Sequence, residues 1–114
     1  MPPMKAFVTE GNVEIFLSRL NTTWNACDRD MLLRLLCQEQ ARMGFSHGHL
    51  ENGERRVFDG RERLKKQRKL VAQLASQDQA PGQAALLLET LQKTQVLLEQ
   101  HLSRLRKVQR ARRL

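Results

Sequence analysis

Leu50, Val57, Leu64 and Val71 recur at strict intervals of seven, and Ala84, Leu91, Leu98 and Leu105 do the same. This double repeat limits the possible folds more than any other feature of the chain. A seven-residue apolar period is helical, and two such stripes joined by a short break pack against each other. With Leu50 at heptad position a, the d positions of the first stripe are Gly53, Gly60, Gln67 and Leu74. Those of the second are Leu87, Thr94, His101 and Val108. The intervening "SQDQAPGQ" supplies the break, with Asp78 as a candidate cap and Pro81 in the first turn of the next helix. The spacing predicts helices over about 50–76 and 81–112, folded as a long antiparallel hairpin. A turn centred near residue 79 would set Leu64 near Thr94, Val57 near His101 and Leu50 near Val108. Each seam glycine costs about 1 kcal/mol relative to alanine in a helix. Gly53 and Gly60 therefore imply a close approach by another backbone or a local kink.

The first 50 residues read as two further helices. Val13, Phe16, Leu17 and Leu20 fall on one face of a helix over about 12–20. Asn25 can cap a second over about 26–43, whose stripe is Leu32, Leu35, Leu36 and Met43, with Gly44 in the C′ position. Trp24, in the joining turn, reads as a packing anchor. Residues 1–11 are expected to be a flexible N-terminus and 110–114 a frayed basic tail, so 1–114 forms a single all-α domain. Composition agrees with this reading. Hydrophobic residues make up 40 % of the chain, too many for disorder, while four Phe, one Trp and no Tyr leave little for a sheet.

Charge is divided unevenly. Residues 1–50 balance their acids and bases, so the whole net charge of +8 lies in 51–114. Arg55, Arg56, Arg61, Arg63, Lys65, Lys66, Arg68 and Lys69 surround the first stripe, interleaved with Glu54, Asp59 and Glu62. That pattern reads as the solvated side of a long helix. The run from Arg104 to the end has no acid, and Arg104, Arg106, Lys107, Arg110, Arg112 and Arg113 are the candidate polyanion-binding residues.

No catalytic or metal-binding signature stands out. His47 and His49 form an H-x-H pair, but His101 is expected about 12 Å from His49 along the helix axis, and no Cys or acid trio joins them. His101 at a d position reads as a polar residue that specifies register. No carboxylate pair, glycine-rich phosphate loop or Ser/His/Asp order is present, so neither an enzyme activity, a cofactor nor a small-molecule substrate is expected. Cys27 and Cys37 would lie about 15 Å apart on one helix, too far for a disulfide, and read as small apolar core residues. No stretch reaches the roughly 20 apolar residues of a membrane span, and the N-terminus lacks a signal peptide, so a cytoplasmic location is expected.

The segments "CDRDMLLRLLCQEQARM", "ERRVFDGRERLKKQRKLVAQL" and "ALLLETLQKTQVLLEQHLSRL" resemble those of small bacterial helical-hairpin, coiled-coil-like proteins of unknown function. The likeness covers most of 12–109 and implies the helical hairpin and nothing about activity. Relatives usually carry a second acid where Gln40 stands and a small residue at Cys37. Two functional classes follow from these readings. The first is a non-enzymatic protein–protein interaction module acting through the seam Leu50, Val57, Leu64, Val71, Leu74, Leu87, Leu91, Leu98 and Leu105, with self-association (a dimer) or another helical protein as partner. The alternative is an accessory protein binding nucleic acid or another polyanion weakly through its C-terminal cations.

Overall fold

Every regular element in the computed structural model, which describes residues 4–23 and 25–112, is an α-helix. They are α1 (Met4–Leu20), α2 (Ala26–Arg42), α3 (His47–Ser76) and α4 (Gly82–Arg112). The expectations for Trp24 and Arg113 concern residues outside that description.

Three boundaries differ from the sequence reading, one of them the start of α3 at His47 and not near residue 50. Helix α1 starts at Met4, not near residue 12, so 4–11 is helix and not a flexible lead. Thr9, Val13 and Leu20 are buried and Phe16 half-buried, a 4-3-4 spacing that carries the inner stripe one turn further back. At the other terminus α4 continues to Arg112, so residues 110–112 are helical and not frayed. Arg112 is held there by a cation–π contact, its guanidinium 4.8 Å from the Phe45 ring centroid.

Local chemistry accounts for most of the remaining ends. The Asn25 side chain accepts hydrogen bonds from the Cys27 and Asp28 amides at 2.8 and 3.2 Å, capping α2 as expected. Ser46 accepts from the His49 amide at 3.0 Å, which starts α3 at His47, earlier than its first apolar seam residue. Asp78 does not cap α4. It sits at φ +57° just past α3, with its amide donating to Ala75 O and the Gln79 amide donating to Leu74 O. This is a Schellman closure with aspartate in the place glycine usually takes. The carbonyl of Pro81 accepts from Ala84 and Ala85 at the start of α4. Gly44 is not left-handed: α2 ends on an extended Met43, and Gly82 is the glycine with positive φ among the described residues.

Helices α3 and α4 pack along much of their length, with partners in opposite sequence order. Gln67 Nε2 donates to Ala84 O, Gln95 Nε2 donates to Val57 O, and Gly53 faces Leu102 and Leu105. Leu50, Val57, Leu98, Leu102 and Leu105 form one core, with Leu17 and Phe45 packed against it. A second core joins α1 to α2 through Val13, Leu20, Leu32 and Leu36, and Leu97 of α4 packs into it. Helices α1 and α2 thus fold back onto α4. The cysteines take no part in either core: Cys27 and Cys37 are free thiols on the exposed face of α2, because the buried stripe runs through Leu32, Leu36 and Gln40 at intervals of four.

The two seam glycines serve different purposes. A β-carbon at Gly53 would meet Leu102 and Leu105 methyls at 3.6 Å, an ordinary contact. One at Gly60 would overlap the Gln95 amide, which is buried and bonded to Val57 O. Glycine at 60 therefore makes room for a side chain and not for a backbone. Gly53→Ala should raise stability by about 0.5–1 kcal/mol through helix propensity. Gly60→Ala should lose that gain and more, by about 1–2 kcal/mol, since moving Gln95 strands the Val57 carbonyl. Urea unfolding of the two variants beside the parent checks both signs.

Candidate interaction surface

The nine seam residues divide into two groups. Leu50, Val57, Leu64, Leu91, Leu98 and Leu105 are buried within the chain. Val71, Leu74 and Leu87 are only half-buried, and all three lie toward the α3–α4 turn. The d-position polar residues inside the seam are met in different ways: Thr94 donates to Thr90 O at 2.8 Å, back along its own helix, whereas Gln67 donates across to Ala84 O at 2.9 Å.

The cause of the division is the length of the cover. Helices α1 and α2 have 17 residues each, about 26 Å, whereas α3 and α4 have 30 and 31, about 45 Å. Contacts from the cover reach Glu89, which pairs with Arg29 at 3.2 Å, and an open cleft of about 550 Å³ between α1 and the α3–α4 pair extends to Arg63. Beyond those residues no hydrogen bond or ion pair joins α1 or α2 to α3 or α4 among the described residues. There Leu70 is 42 % exposed and Leu86 46 % exposed.

Helix α1 is held against α3 by polar contacts that the sequence reading did not find. Glu10 lies 2.9 Å from His49 Nδ1, accepts from Asn52 Nδ2 at 2.7 Å and pairs with Arg56 at 2.8 Å. Glu14 accepts from both Arg55 and Arg56. Arg56 is buried and not on the solvated side where the charge pattern put it. The extension of the α1 stripe back to Thr9 was the one signal that could have brought Glu10 into view. Glu10→Gln should cost about 2 kcal/mol, since it removes the charge from hydrogen bonds to a buried guanidinium, and thermal denaturation would register the loss.

His101 belongs to the same neighbourhood. It is buried, and neither ring nitrogen finds a hydrogen-bond partner among the described residues. Burial lowers its pKa from 6.5 to about 4, helped by Arg104, Arg56 and His49 and opposed by Glu10. Among the described residues no group of three or more His, Cys, Asp or Glu could hold a metal ion.

The candidate polyanion-binding residues do not form one patch. Arg104, Arg106, Lys107, Arg110 and Arg112 are all exposed, but at roughly 100° per residue they point to different sides of α4. Arg106 and Arg110 line a groove of about 230 Å³ with Arg61, whose guanidinium is bonded to Glu99 at 2.6 Å. Arg112 lies over Phe45, and Arg104 bears on His101.

No described helix is long and apolar enough to cross a membrane. No family model, curated protein or solved structure matches this chain.

Proposed function

We propose that this chain is a non-enzymatic protein–protein interaction module built on an antiparallel, coiled-coil-like α3–α4 hairpin. One observation carries the reading: the apolar seam outruns its cover. Its lower part is core, while Val71, Leu74 and Leu87 stay half-open beside the exposed Leu70 and Leu86. An apolar flank between two helices is a surface that a further helix fills. Part of the lower flank is occupied in cis by α1 and α2, so a partner, whether a second copy or another helical protein, would engage the open tip.

The polyanion reading ranks second. It draws on the Arg61, Arg106 and Arg110 groove, but scattering of the other cations and the Glu99 pair leave that groove a shallow charge surplus. One experiment separates the two. The intact chain and a Leu70→Asp/Leu86→Asp variant are used as bait in native lysate, with and without nuclease. Under the favoured reading the protein partners resist nuclease and vanish with the variant. Capture that nuclease abolishes and the variant retains would reverse the ranking.

A further inference from the structure

We infer that the uncovered flank of the hairpin tip docks an acidic amphipathic helix, an inference that rests on the interaction-module reading and supplies its partner's chemistry. The flank is a direct continuation of the one that α1 and α2 occupy. On α3 it runs through Arg56, Arg63 and Leu70 at intervals of seven and on to Leu74. On α4 it runs through Leu86, Thr90, Leu97 and His101 at intervals of four, seven and four. The lower members are occupied: Arg56 binds the carboxylates of α1, and Leu97 packs into the α1–α2 core. The upper members, Leu70, Leu74 and Leu86, have no such cover. The open stretch is about 20 Å long, room for three to four helical turns.

Charge selects the occupant. Residues 63–77 contain Arg63, Lys65, Lys66, Arg68 and Lys69 and no acid, and from there to Leu88 Asp78 is the sole charge. All five cations are exposed, and none has an ion-pair partner among the described residues. A second copy would set five cations against five, which like-charge repulsion opposes. The chain itself displays the favoured arrangement. Helix α1 packs Leu17 against the Leu50, Val57, Leu98, Leu102 and Leu105 core and gives Glu10 and Glu14 to Arg55 and Arg56. Arg63 stands seven residues after Arg56, and Lys66 eleven after Arg55, so both return to the same flank two and three turns further along. A partner with an apolar stripe and flanking glutamates would repeat the grip of α1 one segment higher.

The test uses a fluorescent synthetic helix of about 18 residues, with leucines at i, i+3, i+4 and i+7 and glutamates flanking them, titrated with the full chain. Saturable binding is expected, at least roughly tenfold tighter than for the same peptide with lysine replacing glutamate. Leu70→Asp/Leu86→Asp should weaken it by more than about tenfold. Arg63→Gln/Lys66→Gln should weaken it severalfold and flatten its salt dependence. All four positions are exposed, so both variants should melt with the parent. The inference is overturned if the acidic helix does not bind, if the double aspartate variant binds it undiminished, or if a glutamate peptide without leucines binds as tightly. Sedimentation of the chain alone distinguishes the two levels of failure. A dimer dispersed by Leu70→Asp/Leu86→Asp gives the flank to a second copy, overturning the acidic helix but keeping the module. No peptide binding, no dimer and lysate capture indifferent to that variant would overturn both.

Discussion

Leu98→Asp is expected to cost roughly 5 kcal/mol, enough to leave the chain largely unfolded at room temperature if its stability is typical of small domains. Leu98 is 5 % exposed and sits among Leu50, Val57, Leu102 and Leu105. The substitution removes a packed side chain and also brings a carboxylate into an apolar cluster. Leu86→Asp on the same helix is the internal control. That residue is 46 % exposed, so the same chemical change should stay within about 0.5 kcal/mol. Urea denaturation followed by circular dichroism measures both. The core around Leu98 is completed within one chain, so its loss should not depend on protein concentration. A similar effect for the two substitutions would mean that α4 is not seated as described.

The second large effect is a loss of stability on acidification, centred on His101. The folded chain holds this imidazole neutral down to about pH 4, against 6.5 for an ordinary histidine. The unfolded chain therefore takes up a proton first as pH falls. The stabilising contribution is intact above 6.5, declines between 6.5 and 4, and is gone below that. The difference corresponds to about 3 kcal/mol. Carboxylates also titrate toward the lower end of this window, so the measurement compares the parent with His101→Leu at each pH. The ring has no hydrogen-bond partner among the described residues to lose, so the leucine variant should be the more stable by about 1–2 kcal/mol at pH 7. Its advantage should widen steadily toward pH 4. A constant gap between the two curves would mean that the imidazole protonates in the folded state.

Much of the α3–α4 pair was legible in the sequence because heptad spacing reports burial along a helix directly. All six a-position leucines and valines of the lower seam are buried where the period put them. What the spacing could not report was where the seam would stop being covered, since that depends on the lengths of α1 and α2 and how they fold back. Arg56 shows the same limit for charge. Its place in a run of cations suggested solvent, yet it is buried because Glu10, 46 positions away, comes to meet it. A contact of such separation leaves no local trace. Likewise Asp78, a good N-cap by residue type, closes the preceding helix instead, and only its left-handed backbone and two amide bonds distinguish the roles. The cations from Arg104 onward look like one site when written in a row, but on a helix they are distributed around a circumference.

The end of the cover at Arg63 and Glu89 also has an evolutionary consequence. Insertions or deletions of seven residues, matched in the two arms between those points, would preserve seam phase and leave both cores untouched. Each such step would shift the turn by about 10 Å. The reach of the tip and the stability of the base are therefore separate heritable traits, and lineages of this chain are free to vary one while conserving the other.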